Sequence, residues 1–227
     1  MGKSALVTGG SSGIGLAIAR MLREEGFELT LTARTRSNLE SAARELDATA
    51  IPGDVSREED CTRMVTGHGV RHGGLDLLVN SAGVGVGGSL ETLSVKQLDL
   101  ALTVNLRGAF LVTQAALPLL KASRGLVVNV ASIAGTIPAP RLGAYAASKA
   151  GLISLTRTIN VEHAADGIRA TALCPDFVDT PMTAPMDLPP EQMIRAEDCA
   201  EVVRMLLRLS QNARIPQIVV ERPGGYL

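Results

Sequence analysis

The sequence predicts an α/β fold: one domain with a doubly wound, parallel, seven-stranded sheet and helices on both faces. Three observations carry this expectation. Short apolar runs alternate with longer stretches of helical periodicity from one end to the other. The first apolar run, Ala5-Leu6-Val7, closes into Thr8-Gly9-Gly10 and leads straight into a helical pattern. No linker, composition shift, repeat or low-complexity tract divides the 227 residues, a length that suits one large domain.

Composition removes several function classes. A 46% hydrophobic content supports a full core, and a net charge of -1 gives no pull toward nucleic acid or anionic membrane. Basic residues are scattered. Cys61, Cys174 and Cys199 are odd in number and far apart. They match neither a disulfide framework nor a zinc set, so reduced thiols, a cytoplasmic location and no metal are expected. The start, Met1-Gly2-Lys3-Ser4, carries no leader-like apolar stretch. No apolar run reaches the roughly 18 residues of a membrane span, so no membrane partner is expected.

The elements follow in order. Ala5–Val7 reads as a buried strand and Ile14–Arg23 as a helix, with Gly26 as its stop. Gly9, Gly13 and Gly15 between them can bring backbone N–H groups to a pyrophosphate at the helix N-terminus, with Ser11 and Ser12 adding hydroxyls. A plain tight turn is the alternative. Phe27–Thr32 is the second strand. After it, a dinucleotide fold usually carries an acid for the ribose hydroxyls. Here Ala33-Arg34-Thr35-Arg36 offers two guanidiniums and no acid. Arg34 and Arg36 suit a 2′-phosphate, which predicts NADP(H) over NAD, unless they are plain loop arginines.

Ser37–Leu46 reads as a helix and Ala48–Ile51 as a short strand. Asp54 either reaches an adenine or helps start the next helix. Ser56 and Glu59 have capping-box spacing for that helix, which is expected to run to about Val70. His68 and His72, flanked by glycines, read as surface loop residues. Leu75–Asn80 is a strand, 83–88 a glycine-rich loop, and Leu90–Leu120 mostly helical with Asn105 buried among apolar neighbours. That Asn either bridges structure or holds a water. Gly125–Val130 is a β-branched strand ending at Ser132, at the edge where open parallel sheets bind ligands. A helix follows from about Leu142 to Ala165, stopped at Gly167, with His163 near its end. Arg169–Cys174 is a strand, and the proline-rich stretch after it, about 176–195, reads as a substrate flap. Glu197–Leu209 is the last helix and Ile215–Glu221 the last strand.

Tyr145 and Lys149 lie four residues apart on a helix, on one side of it. A phenol titrates near about 10. A nearby cation lowers that value, so the pair is a plausible acid/base device. A solvated helix face is the plain alternative.

Taken together, these motifs resemble the short-chain dehydrogenase/reductase family over essentially the full chain. Thr8-Gly-Gly-Ser-Ser-Gly-Ile-Gly15 is similar to the family's TGxxxGxG cofactor turn, Asp54-Val55 to its adenine-contacting pair, and Asn80-Ser-Ala-Gly83 to NNAG with Ser81 in place of the second Asn. Asn105, Ser132, Tyr145 and Lys149 fall where the family has its catalytic tetrad, and Pro175 to Thr180 resembles PGxVxT. The resemblance implies a Rossmann fold and a hydride transfer between NADP(H) and a carbonyl or alcohol. Tyr145 would be the proton donor and Lys149 would lower its pKa and hold the nicotinamide ribose. Ser132 would bind the substrate oxygen, and Asn105 would hold a water linking Lys149 to solvent. The cofactor contacts it implies are Gly9, Ser11, Ser12, Gly13, Ile14, Gly15, Arg34, Arg36, Asp54, Val55, Asn80, Ala82, Gly83, Tyr145, Lys149, Pro175, Val178 and Thr180. It also implies a homodimer or homotetramer, packed through the helices around Asn105 and Tyr145.

Two departures stand out. Asp176 replaces the glycine that usually follows Pro175, and the ending Arg222-Pro-Gly-Gly-Tyr-Leu227 lacks the VDGG-like sequence of many ketoacyl reductases. Asp176 either narrows the pocket, disfavours anionic substrates, or points away into a turn. Ile133, Ile137, Leu142, Phe177 and Met182 suggest an apolar pocket. The expected activity is carbonyl reduction, with 3-oxoacyl-thioester reduction and an idle NADP-binding sensor as the alternatives.

Overall fold

The computed structural model describes residues 2–224; Met1, Gly225, Tyr226 and Leu227 lie outside the described residues, and with them the last three residues of the ending contrasted above. Seven strands form one sheet: β1 Ser4–Thr8, β2 Glu28–Thr32, β3 Thr49–Ala50, β4 Leu77–Asn80, β5 Leu126–Val130, β6 Arg169–Pro175 and β7 Gln217–Val220. They lie side by side as β3-β2-β1-β4-β5-β6-β7, every pair parallel. The chain reverses its direction of travel between β1 and β4. In such a sheet a ligand crevice opens there, beyond the carboxyl ends of the strands.

Side chains of each strand alternate between two cores. Ala5, Val7, Leu77, Val79, Leu126 and Val128 face one layer, built from α1 (Gly13–Glu24), α2 (Arg36–Glu45) and α7 (Ala196–Arg208). Leu6, Leu78 and Val127 face the other, where α3 (Glu58–His72) and α5 (Gly108–Ser123) pack. Both faces are covered, which is why the strands read as unbroken apolar runs. The expected fold class is what the structure shows.

A polar row interrupts the apolar sheet at one level. Thr32, Thr8, Asn80 and Asn129 lie in register across β2, β1, β4 and β5. The Asn80 amide donates to Asn129 Oδ1 at 2.8 Å and to Thr113 Oγ1 at 3.0 Å; the Asn129 amide donates to Thr156 Oγ1 at 2.8 Å. Thr8 Oγ1 accepts the N–H groups of Ser81 and Ala82 at 3.1 and 3.2 Å. These bonds tie the ends of β4 and β5 to the helices behind them, and the end of β1 to the turn after β4.

Three expectations need correction. His68 and His72 belong to α3, and His68 is completely buried. It sits one turn beyond Met64 and Val65 on the face that carries Cys61, at core spacing. The Ser56–Glu59 box does not form: α3 begins one residue later, with Arg57 at its N-cap. Asp54 Oδ1 accepts the Ser56 N–H at 2.9 Å, and Asp60 Oδ2 reaches back to the Asp54 N–H at 2.9 Å. The third concerns the run Val95–Ser123, a continuous helical rod of 29 residues that is long and apolar enough to span a membrane by length and composition. Here it is α4 (Val95–Leu102), a π turn Thr103–Arg107 and α5. Its Val104, Leu111, Val112, Ala116 and Leu120 are buried against the sheet side of the second core.

The irregular stretch after β6 is closed at its base. Ile194 N–H donates to Phe177 O at 2.9 Å and Asp179 N–H to Ile194 O at 2.8 Å, so residues 177–179 and 194 form a neck for the loop between them.

Candidate active site

Tyr145 and Lys149 lie near the start of α6 (Gly143–Glu162), and Ser132 follows β5. Lys149 is buried, and its Nζ donates to Val130 O at 2.7 Å, the carbonyl two residues before Ser132. The same Nζ stands 5.5 Å from the centre of the Tyr145 ring. Ser132 Oγ accepts the Ala134 N–H at 3.2 Å and donates to Pro175 O at 3.4 Å, which fixes it between β5 and β6. Sequence and sheet order thus bring the phenol, the ammonium and the hydroxyl together at the carboxyl edge.

The electrostatics run against one expectation. Burial pushes the Tyr145 phenol up, and a hydrogen bond with Ser132 pulls it partly back. Lys149 is instead the group brought toward neutrality: burial lowers it from its ordinary value to about 8. Desolvation outweighs the Ser132 hydrogen bond here, and the phenol stays a neutral proton donor at physiological pH.

Asn105 is buried within the π turn, a break in helical register that is common at functional sites. Its amide donates to Val84 O and Ser148 Oγ, both at 3.0 Å, and its Oδ1 accepts the Val84 N–H at 2.8 Å. Ser148 Oγ in turn donates to Tyr145 O at 2.7 Å. Asn105 therefore pins the 83–88 loop to α6. Ser148, inside the Tyr–Lys motif, completes that link; a small polar residue on the buried side of an apolar helix was its signal in the sequence. A Cβ built on Gly83 would lie 3.3 Å from Asn105 Oδ1, 3.7 Å from Lys149 Nζ and 4.0 Å from Met182 Cε. These four residues meet at one point.

The glycine turn is built for close approach. Gly9 has φ +64°, and a Cβ there would stand 2.9 Å from the Ala82 main chain; one on Gly15 would stand 2.4 Å from Gly9 O. Ser12 is the N-cap of α1, yet its side chain caps nothing, and the first turn carries no acid. The end of α1 thus keeps its positive dipole free of side-chain anions, which fits a phosphate group. Thr180 comes from the loop after β6 to within 3.1 Å of where a Gly13 Cβ would be.

The remaining candidates divide. Arg34 is exposed past β2 and makes no ion pair among the described residues, whereas Arg36 pairs with Glu40 at 3.2 Å. Val55 and Val178 turn their side chains into the core, and Ile14 packs on it. The Asn80 side chain is committed to the polar row, with Oδ1 lacking a partner. Asp54 Oδ1 accepts the Ser56 N–H in the turn that leads into α3. Asp176, its side chain only 5% exposed, faces Arg222, whose Nε lies 3.0 Å from its Oδ2. Phe177 lies against the same guanidinium, 5.2 Å from ring centre to Cζ. The three cysteines are free and buried, and no cluster able to hold a metal occurs among the described residues.

A parallel sheet with a glycine turn at its switch point and a Ser–Tyr–Lys group on the same edge defines a dinucleotide-type enzyme fold. Comparison with known proteins is specific. The family model for short chain dehydrogenases matches residues 3–190. An uncharacterized oxidoreductase of Staphylococcus epidermidis is 34% identical over 224 residues, covering 96% of each chain. One of Staphylococcus aureus is 33% identical over 222 residues, again covering 96% of each. Among solved structures, an alcohol dehydrogenase from the archaeon Thermococcus sibiricus, complexed with 5-hydroxy-NADP, superposes with a TM-score of 0.92 at 32% identity, covering 98% of this chain and 99% of that one. A variant of actinorhodin polyketide ketoreductase with NADPH gives 0.88 at 29% identity, covering 96% and 95%. The chain belongs to the short-chain dehydrogenase family, a family of oxidoreductases.

Proposed function

We propose that this chain is an NADP-dependent reductase that converts a small ketone or aldehyde to an alcohol. The observation that carries the reading is the convergence of Ser132, Tyr145 and Lys149 at the carboxyl edge, beside a glycine turn whose helix end is free to meet phosphate. NADP is favoured over NAD by unpaired Arg34 and by the absence of an acid after β2. The two structural neighbours, crystallised with NADP derivatives, agree with that choice. Arg36, already held by Glu40, is the weaker partner for a 2′-phosphate.

The reduced cofactor, when bound, supplies the hydride. The chain's own residues do the rest. Ser132 Oγ donates a hydrogen bond to the substrate oxygen and steadies the charge that develops there. Tyr145, neutral and next to Ser132, hands its phenolic proton to that oxygen. Lys149 offers a positive charge 5.5 Å from the ring, which stabilises the phenolate left behind. Asn105 keeps one lone pair on Oδ1 for a water near Gly83 and Lys149, on the route by which the phenol regains a proton. The loop at 176–195 serves as the substrate flap, bringing Thr180 to the glycine turn and Met182 to Gly83. Reduction is the favoured direction because cells hold NADP mostly reduced. On this reading the enzyme is cytoplasmic and works as a homodimer or homotetramer, packed where Leu100 and Phe110 are 46% and 45% exposed.

A second reading, 3-oxoacyl-thioester reduction, is favoured by the likeness to a polyketide ketoreductase. The test is NADPH and NADH oxidation against a diketone, an aromatic aldehyde and an acetoacetyl thioester, with wild type and Tyr145→Phe. Turnover with NADPH that the variant loses, with NADPH binding kept, supports the reductase; the best substrate separates the two readings. Tight NADPH binding with no turnover by wild type would leave either a substrate outside the panel or an NADP-binding sensor.

A further inference from the structure

The departure at position 176 has a partner 46 residues away. Arg222, in the segment after β7, pairs with Asp176 through Nε at 3.0 Å, and the side chains are only 12% and 5% exposed. Its guanidinium also covers the Phe177 ring at 5.2 Å, and a terminal nitrogen donates to Gln192 O at 3.4 Å. One side chain thus grips the loop on both sides: Asp176 and Phe177 where it leaves β6, and Gln192 where it returns. Beneath it, Asp176 N–H donates to Val220 O at 2.9 Å, and the Phe177–Asp179 backbone is zipped to Ile194.

This neck stands directly between the catalytic edge and the loop. Pro175, whose carbonyl takes the Ser132 hydrogen bond, precedes Asp176. Thr180 and Met182, which reach Gly13 and Gly83, leave the neck just beyond Asp179. The pitch of the neck therefore sets how far both side chains extend over the cleft. A buried ion pair is a poor source of net stability, because desolvation offsets most of the attraction. Its value lies in direction: the planar fork of Arg satisfies a carboxylate, a ring face and a carbonyl at once, which Lys does not do.

We infer that Arg222, acting through Asp176, is a positioning residue that fixes the 176–195 loop over the catalytic side chains and so tunes binding of the carbonyl substrate. The inference rests on the reductase reading of the site. It touches neither the hydride nor the proton, so it acts on substrate KM and leaves the chemical step in place.

The test uses the full chain as wild type, Arg222→Gln, Asp176→Asn and the double variant. Substrate KM and kcat are measured with NADPH and the best carbonyl of the panel, NADPH Kd by fluorescence, and amide hydrogen exchange across 176–195. The expected result for Arg222→Gln is a rise in carbonyl KM of about tenfold, with kcat and NADPH Kd within about twofold, and faster exchange at Asp179 and Ile194. The double variant should fall well short of the product of the two single effects, since it leaves no lone buried charge. An unchanged carbonyl KM in Arg222→Gln, whatever happens to its melting temperature, overturns the inference. Should the variants not fold, exchange in wild type decides. Asp179 and Ile194 amides as fast as those of 184–191 overturn it, and clearly slower ones support it. Exchange needs no turnover, so failure of the reductase reading is seen separately, as wild type that binds NADPH and reduces nothing.

Discussion

Mild acid should weaken this protein in a window set by one side chain. His68 is completely buried at the end of the sheet opposite the site. Its Nε2 donates to Gly74 O at 2.9 Å, so in the neutral ring Nδ1 accepts from the Thr30 hydroxyl, also at 2.9 Å. The neutral form is fully satisfied. Adding a proton places a charge where there is no carboxylate bonded to it. Burial, helped by His72 with ring centres 4.8 Å apart, pulls the His68 pKa down from 6.5 to about 4. The unfolded chain takes the proton first. Stability is therefore whole above pH 6.5, falls as pH drops from 6.5 toward 4, and levels off below. At about 1.4 kcal/mol per unit, the full loss is about 3 kcal/mol, and between about pH 7.5 and 5 it is about 2. His72, also lowered chiefly by burial, adds in the same direction. Asp60, Asp166 and Asp198 are held below their usual range, Asp60 chiefly by the Asp54 N–H and the others chiefly by paired side chains, and they contribute losses only at lower pH. Urea unfolding of wild type and His68→Gln at several pH values from about 7.5 to 5 isolates the effect. Wild type should lose about 2 kcal/mol over this range and the variant much less. Parallel slopes for the two proteins would refute the argument.

Three further outcomes are expected. Arg34→Asp should weaken NADPH roughly 10- to 100-fold by fluorescence titration and NADH little if Arg34 holds the 2′-phosphate in the charge-assisted pair proposed for it; equal effects would remove Arg34 from that role. Lys149→Met should abolish turnover yet raise stability near neutral pH by about 2 kcal/mol in urea unfolding, since it relieves a desolvated ammonium; a less stable variant would contradict the burial effect. Gly9→Ala should lower stability by about 2 kcal/mol or more and weaken cofactor binding, because φ is +64° and the new methyl meets the Ala82 main chain at 2.9 Å; a neutral result in unfolding and titration would mean the turn moves freely.

The parts of the site that were legible are those encoded within a few residues. The glycine turn, Tyr145 with Lys149, and Ser132 after a strand are local patterns, and the sheet edge brings them together. The strand and helix order was equally plain because each strand is buried on both faces. What stayed hidden depends on distance or competition. Arg222 and Asp176 meet only because β6 and β7 are neighbours. Ser56 lost its capping part when Asp54 took its N–H first. His68 carried the readable signal of lying three and four residues past Val65 and Met64, but nearby glycines suggested a loop where α3 continues to His72. Lys149 was expected to act on Tyr145, and the stronger force on both is the loss of water.

The row formed by Thr32, Thr8, Asn80 and Asn129 bears on how the chain finds its arrangement. Val, Leu and Ala surfaces tolerate sliding, so strands such as LLV and LVV could pair one step out of line with little penalty from contacts alone. A slip would carry Asn80 opposite Val128 or Val130 and strand two amides in an apolar interior, at several kcal/mol. The row works as a proofreading mark: misaligned pairings are short-lived, and the one alignment that survives is the one that delivers every loop of the cleft to the same rim.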